Sequence, residues 1–209
     1  MKTEDLIADL ASRVEPVRRL PPPEVRALTW TGLAIAFAAI GIVVFQPRPD
    51  LGGLRDQPDF WILVVAGLMT AILAAGAALV LGIPGAERSG ALRFTTVAII
   101  CIWAGIVIAA IARGGAGFSA VSHWYVCFGR VMAVGLVPAV ALVAMLRRAA
   151  PLRQRWTGAL VFVAAMAMGA AVMPLVCPID DPGHALIGHL GPVLLTGAIG
   201  AWLGKRVFG

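Results

Sequence analysis

Residues 156–176 read WTGALVFVAAMAMGAAVMPLV, a continuous run of apolar and small side chains without a single charge. The hydrocarbon core of a bilayer is about 30 Å thick, so a helix that rises about 1.5 Å per residue needs about 20 such residues to cross it. A strand of a membrane barrel would instead alternate apolar and polar positions. This stretch therefore predicts a transmembrane helix.

Five further runs of this kind occupy most of the 209-residue chain. One of them reaches full length only if Arg130 lies near an interface, where its long side chain can extend to the headgroups. The predicted spans are residues 28–45, 60–81, 94–112, 124–146, 156–176 and 185–203. Because 60% of the residues are hydrophobic and the mean hydropathy is +0.90, six buried helices of a soluble protein are a poor alternative. We predict an all-α polytopic membrane protein: a six-transmembrane-helix bundle over residues 28–209, preceded by an arm over residues 1–27 with a short cytoplasmic amphipathic helix.

The distribution of lysine and arginine predicts which side of the membrane each connection faces, because cytoplasmic connections carry an excess of these residues. With a cytoplasmic N-terminus, the inner side holds Lys2, Arg13, Arg18, Arg19, Arg26, Arg88, Arg93, Arg147, Arg148, Arg153, Arg155, Lys205 and Arg206. The outer side then holds Arg48, Arg55, Arg113 and Arg130. We therefore predict that both termini are cytoplasmic. The same bias, with the attraction of the inner leaflet for cations, explains the net charge of +6 without direct binding of nucleic acid.

The arm begins with apolar residues at helical spacing, which predicts one amphipathic helix within residues 1–20. Its apolar face consists of Leu6, Ile7, Leu10, Val14 and Val17. Three prolines at positions 21–23 then predict an extended, semi-rigid spacer before the first span. Since acidic and basic residues are mixed on this helix, a groove on a soluble protein suits it better than an anionic membrane surface, which stays the alternative.

Two of the three cysteines, Cys127 and Cys177, are predicted at the outer ends of the spans. His123 precedes Cys127 by four residues and Arg130 follows it by three, so a helix would place these side chains on one side. A guanidinium near Cys127 would favour the thiolate, which is the reactive and metal-binding form.

The turn from Cys177 to His184 is expected to bring Asp180, Asp181 and His184 towards the second sulfur. Three interpretations of the two cysteines stay open: a structural disulfide, a reversible thiol switch, and capture of a soft metal ion by two thiolates with help from imidazole. A CxxC pair and a closed zinc spacing are both missing from the sequence, so spacing alone does not select the metal.

His189 and Cys101 lie inside predicted spans. An ionisable group in a membrane is a functional candidate, yet a neutral histidine with one hydrogen-bond partner explains His189 equally well. Cys101 is expected to be a small buried apolar side chain. The sequence shows neither a nucleophile–base pair nor a phosphate loop nor paired carboxylates, so we predict that the protein is not an enzyme.

The opening residues MKTEDLI (1–7), the block HWYVC (123–127), and Cys177-Pro178 with His184 shortly after resemble the NrsF-type membrane anti-sigma factors. These are negative regulators of extracytoplasmic-function sigma factors in Gram-negative bacteria. The resemblance implies an inner-membrane protein that holds such a sigma factor inactive until heavy-metal or oxidative stress acts on Cys127 and Cys177 in the periplasm. It implies no constitutive cofactor, but a transient soft or heavy metal ion on these two cysteines.

Proximity adds His123 and His184 to the predicted sensing residues. The arm is then predicted to bind the sigma factor, together with the basic loop between the fourth and fifth spans. That loop carries Arg147, Arg148, Arg153 and Arg155. Two other classes stay open: a quinone-linked thiol oxidoreductase, which usually carries a CxxC pair, and a small metal permease with His189 and Cys101 along its path.

Overall fold

The computed structural model describes residues 2–13, 19–54, 56–83, 85, 90–115 and 123–209. It is 84% helical, and the described residues include no strand. Within these residues, six helical segments are long and apolar enough to cross a membrane. The predicted fold class is confirmed.

The helices are α1 (Thr3–Ser12), α2 (Pro23–Phe45), α3 (Leu51–Leu54), α4 (Pro58–Leu81), α5 (Ala91–Ala110), α6 (Trp124–Arg147), α7 (Gln154–Val176), α8 (Pro182–His184) and α9 (Gly191–Phe208). Two π-helical segments, Ile111–Gly115 and Ala185–Leu190, extend α5 and join α8 to α9. The first span starts at Pro23 rather than at residue 28, because proline at the first helical position has a suitable φ and needs no hydrogen-bond partner.

The amphipathic helix of the arm is shorter than the predicted helix over residues 1–20. It ends at Ser12, and residues 19–22 are not helical. Val14 and Val17, which belong to the predicted apolar face, lie outside the described residues.

The helix α7 lies at the centre of the bundle. In its span, 83% of the residues are buried inside the protein, compared with 17% in the span of α5. It packs against α9, α4 and α6, and less extensively against α2. The uncharged run 156–176 therefore lies in the span that is most enclosed by protein.

Small residues allow α7 and α9 to approach closely. A Cβ atom at Gly158 would overlap the backbone oxygen of Gly200, and a Cβ atom at Gly200 would overlap that of Gly158. Close backbone contact through glycine is a common way for helices to associate in lipid. Lipid tails are as apolar as the helices, so the hydrophobic effect does not drive this association and close packing does. This crossing therefore depends on the absence of a side chain at both positions.

The two ends of the bundle differ in chemistry. At one end, Arg147 Nε donates to the Val207 carbonyl oxygen at 3.0 Å and Gln154 Nε2 donates to the Phe208 carbonyl oxygen at 3.1 Å. We call this the basic end, and the opposite end, where α7 finishes at Cys177, the cysteine end.

Candidate functional site

Four side chains with metal-binding or redox chemistry meet at the cysteine end: Cys127, Cys177, His184 and His189. All four are buried, and one sulfur or ring nitrogen from each lies within 4.8 Å of the corresponding atoms of the others. We refer to these residues as the thiol–imidazole cluster.

The helices α6 and α7 supply the two sulfurs. Cys127 lies in the first turn of α6, and Cys177 is the residue at which α7 ends. Both cysteines are free, and the Cys127 thiol donates a hydrogen bond to the Cys177 sulfur over 3.3 Å. This hydrogen bond stabilises the thiolate of Cys177 and lowers the pKa of that thiol, although burial acts in the opposite direction. The Cys177 sulfur is therefore favoured as a reactive thiolate.

The segment from Cys177 to His184 is shaped by its own sequence. Asp181 caps the short helix α8, since its carboxylate accepts a hydrogen bond from the backbone N–H of His184 at 2.9 Å. Pro182 occupies the first helical position, where the missing N–H costs nothing. With the backbone held in this way, His184 Nε2 lies 3.4 Å from the Cys177 sulfur.

A π-helical turn brings His189 to the same place. In an α-helix five residues turn through about 500°, so His184 and His189 would point about 140° apart. The segment Ala185–Leu190 is π-helical instead, which places residues five apart nearly one above the other. The two rings meet edge to face, with their centroids 5.3 Å apart. Pro192 explains the wide turn, because it donates no backbone hydrogen bond and its ring excludes the carbonyl four residues earlier.

A buried arginine ties this segment to the connection that follows α2. The Arg48 guanidinium is 1% exposed and donates to Asp50 and to Asp180 in two bidentate pairs, with N···O distances from 2.6 to 2.8 Å. The Arg48 backbone N–H also donates to the Leu175 carbonyl oxygen at 3.0 Å. We call Arg48, Asp50 and Asp180 the arginine clamp. Because Asp180 follows Cys177 closely in the chain, the clamp holds the backbone that carries the second sulfur.

The arginine clamp makes the stability of the cysteine end depend on pH. The hydrogen bonds from Arg48 hold the pKa of the Asp50 carboxyl below its usual value. Such a carboxyl contributes stability above its unfolded pKa of about 3.9, and this contribution is lost as the pH falls through the folded pKa. We expect Asp50→Asn to lower the melting temperature in detergent at neutral pH. Below about pH 4, the melting temperature of this variant should decrease less steeply with falling pH than that of the wild type. Thermal unfolding between neutral pH and about pH 3 measures both effects.

A control for this prediction is Glu4→Gln, which removes a carboxyl from the exposed helix α1 without touching the clamp. It should reproduce the wild-type dependence on pH. An Asp50→Asn protein with wild-type melting temperatures at every pH would contradict the stabilising role of the clamp.

A cavity of about 300 Å³ lies beside the cluster, between α4, α5 and the segment that follows α7. Cys177 and His189 line it, so the cluster is accessible from this space. Its other walls include the apolar side chains Phe60, Leu63, Val107 and Ile179 and the polar side chains Gln57, Arg113 and Asp180. A small ion or molecule in this cavity would therefore contact one sulfur and one imidazole of the cluster.

The structure does not bring His123, a predicted sensing residue, into the cluster. His123 is exposed, precedes α6 and has a left-handed backbone with φ 75°, so it does not continue the helical face of Cys127. The Arg130 guanidinium lies over the Phe45 ring, 5.2 Å from its centroid. His123 therefore does not share the helical side of Cys127 and Arg130 that the sequence predicted.

Cys101 and His189 also differ from their sequence-based expectations. Cys101 is exposed on the peripheral helix α5, so the prediction of a buried side chain is wrong. A permease path through both residues gains no support from this arrangement, because Cys101 is exposed on the outside of the bundle whereas His189 is buried inside it. His189 belongs to the cluster although it was left out of the predicted sensing residues. Its signal in the sequence was an ionisable side chain in an otherwise uncharged span.

The predicted sigma-binding residues are exposed where the structure describes them. The helix α1 has no buried residue, and its apolar side chains Leu6, Ile7 and Leu10 are exposed. At the basic end, the predicted arginines are exposed as well: Arg147, Arg148, Arg153 and Arg155. Arg148 lines a groove together with Arg19, Leu20 and Pro21, so the spacer of the arm and the basic loop share one surface.

Fold and site together define a polytopic helical membrane protein with a buried thiol–imidazole cluster at one end and an exposed basic loop at the other. The model of the family described as negative regulator of sigma F matches residues 10–209. A curated relative, the anti-sigma-F factor NrsF of Caulobacter vibrioides (strain NA1000 / CB15N), is 30% identical over 210 residues, which is 98% of this chain and 98% of the relative. No solved structure matches the chain. The chain belongs to the NrsF family of negative regulators of sigma F, and the resemblance stated from its sequence is confirmed.

Proposed function

We propose that this protein is an anti-sigma factor of the bacterial inner membrane that holds an extracytoplasmic-function sigma factor on the cytoplasmic side. It releases the sigma factor when a heavy-metal ion or an oxidant reaches Cys127 and Cys177 from the periplasm. Membership of a family of negative regulators of sigma F supports a sigma factor as the partner. The observation that carries the proposal is the placement of α7, which ends at Cys177 and starts beside Arg153 and Arg155.

The charge of the two ends supports this orientation. The exposed arginines of the loop between α6 and α7 suit the cytoplasmic side, where positive charge concentrates in membrane proteins. The cysteine end then faces the periplasm, an oxidising compartment in which thiols can respond to their surroundings.

The arm supplies the surface for a soluble partner. The apolar side chains of α1 are exposed, and a helix of this length is marginal alone in water. A groove on the sigma factor would cover Leu6, Ile7 and Leu10 as an amphipathic helix is covered in helix-in-groove complexes. The groove that Arg148 shares with Leu20 and Pro21 extends this surface onto the bundle.

The relay runs along α6 and α7, which connect the two sulfurs to the two sides of the basic loop. Oxidation would join the sulfurs, now 3.3 Å apart, in a disulfide of about 2.05 Å and pass two electrons and two protons to the oxidant. Converting a mostly bound into a mostly free population takes about 5.5 kcal/mol, more than the about 1–3 kcal/mol of typical allosteric coupling. A covalent bond or a chelated ion between the ends of two helices can supply this larger free energy.

The proposed sigma-binding face is tested by Leu10→Asp. A carboxylate in the centre of the apolar face should abolish co-purification of the sigma factor with the tagged full-length protein from solubilised membranes, because a buried unpaired charge opposes docking. Retained sigma factors are identified by mass spectrometry.

The matched control is Ala8→Asp, which adds the same charge on the opposite side of α1, since two residues of an α-helix are about 200° apart. This variant should retain the sigma factor. Equal retention by Leu10→Asp and Ala8→Asp would refute the apolar face of α1 as the docking surface.

A further inference from the structure

The two histidines of the thiol–imidazole cluster each carry a nitrogen without a partner. Among the described residues, the buried atoms His184 Nδ1 and His189 Nε2 have no hydrogen-bond partner. Buried polar atoms are nearly always paired, and an unpaired one costs free energy. Two buried imidazoles that lack full pairing, beside two buried thiols, are a donor set that a ligand could use.

The distances within the cluster suit a single metal ion. Tetrahedral Zn²⁺ has bonds of about 2.3 Å to sulfur and about 2.0–2.1 Å to nitrogen, which places neighbouring ligand atoms about 3.3–3.8 Å apart. The Cys127 and Cys177 sulfurs are 3.3 Å apart, and His184 Nε2 is 3.4 Å from the Cys177 sulfur. The four ligand atoms lie within 4.8 Å of one another, so small side-chain rotations complete the geometry.

We propose that Cys127, Cys177, His184 and His189 form a four-ligand site for a divalent, thiophilic d¹⁰ metal ion, of which Zn²⁺ and Cd²⁺ are the examples. Two thiolates and two neutral imidazoles are a donor set that such ions prefer. On binding, each cysteine that is still protonated releases one proton to water, so one M²⁺ enters and two H⁺ leave when both thiols start protonated. This site deepens the proposed function, on which its role in sensing rests.

Charge decides between ion classes. With both thiols ionised, the two thiolates cancel the two charges of a divalent ion at a buried position, where a net charge is costly. The same ligands around a monovalent ion would leave one negative charge buried. The site is therefore selective for divalent ions through its two histidines, since replacing them by further thiolates would make the complex anionic.

The site joins three elements that are separate in the chain. Cys127 comes from the start of α6, Cys177 from the end of α7, and both histidines from the π-helical segment that leads into α9. The cavity beside Cys177 and His189 provides space for the ion to reach them. An ion at this position would draw the ends of these elements together, which is the change that the proposed relay needs.

The test titrates the reduced, metal-free, full-length protein in detergent with Co²⁺ as a spectroscopic probe, and then displaces it with Zn²⁺ or Cd²⁺. We expect one Co²⁺ per chain with the visible d–d bands of tetrahedral coordination, thiolate charge-transfer bands, and release of one proton for each cysteine that is still protonated, at most two per ion. A wild-type protein without these bands would overturn the site.

The contribution of the histidines is tested by His189→Gln, with His123→Gln as the matched control because His123 lies outside the cluster. We expect His189→Gln to weaken Zn²⁺ binding by at least about 100-fold, since losing an outer-shell partner alone costs about 10–100-fold. His123→Gln should bind as the wild type does. Unchanged binding by a folded His189→Gln protein would overturn the four-ligand assignment. Should that variant not fold, the wild-type Co²⁺ spectrum tests the assignment independently, because its tetrahedral d–d bands report a four-coordinate ion.

The same preparations separate the metal site from the proposed function. Tetrahedral metal binding without any effect of the metal or of an oxidant on sigma-factor retention would support the site and refute the sensing role. Release of the sigma factor on oxidation, from a protein that binds no metal, would overturn the site and leave the proposed function standing.

Discussion

Replacing Cys177 by serine is expected to abolish the response of sigma-dependent transcription to heavy metals and oxidants, leaving the protein locked in one output state. The induction ratio of a reporter should fall to about one, because a lone thiol can form neither the disulfide nor the two-sulfur chelate that could supply the required about 5.5 kcal/mol. Cys127→Ser should have the same effect, since Cys127 donates its hydrogen bond to the Cys177 sulfur and shares its buried position. Reporter transcription before and after exposure to Cd²⁺ or diamide measures this.

The third cysteine provides a matched control for these variants. Cys101 is exposed on α5, so Cys101→Ser should respond as the wild type does. Western blots of membranes would verify equal amounts of all variants. A protein with both Cys127 and Cys177 replaced by serine that still responds normally would eliminate the proposed switch.

Introducing a single methyl group at Gly158 is expected to destabilise the bundle by about 3 kcal/mol, near the upper end of the range for overpacked cores. A Cβ atom at this position would overlap the Gly200 backbone oxygen, and backbone atoms cannot move aside as the end of a flexible side chain can. The helices α7 and α9 must then separate at this crossing. Thermal unfolding of Gly158→Ala in detergent gives the loss of stability.

Replacing Gly76 in α4 by alanine is instead expected to stabilise the protein. No atom lies within 4 Å of a Cβ built there, so Gly76→Ala makes no clash. Alanine should stabilise the helix by up to about 1 kcal/mol, because glycine has the lower helix propensity. If Gly158→Ala and Gly76→Ala shift the melting temperature equally, the close α7–α9 crossing does not govern stability.

The positions of the spans could be predicted because each depends on a local property. Residues 60–81 and 156–176 are long and uncharged, and the observed helices Pro58–Leu81 and Gln154–Val176 differ from these predictions by about half a turn or less. The predicted start of the first span, residue 28, is too late. All three prolines at positions 21–23 were assigned to a spacer that precedes the helix. Pro23 instead begins α2, which shows that one proline in a run can initiate a helix.

The composition of the site was only partly predictable. Cys127, Cys177 and His184 are close to one another as their positions at the span ends suggested. His123 was included because an α-helix was assumed to extend back to it. His189 was left out because a neutral histidine with one hydrogen-bond partner explained its place in the span equally well. The placement of both residues is decided by local backbone geometry: a left-handed residue before α6 and a π-helical turn before Pro192.

The sequence by itself determined that the chain is a bundle of apolar helices with its positive charge concentrated at one end, because transfer into lipid depends on the composition of each segment separately. Only the tertiary structure decided that α7 is the central helix, that Arg48 is buried between Asp50 and Asp180, and that two thiols and two imidazoles share one site. These features join residues far apart in the chain, and their contacts depend on how the helices pack and on one widened turn. Hydropathy does not predict that packing, because all six spans are similarly apolar and their hydropathy does not say which helices are in contact.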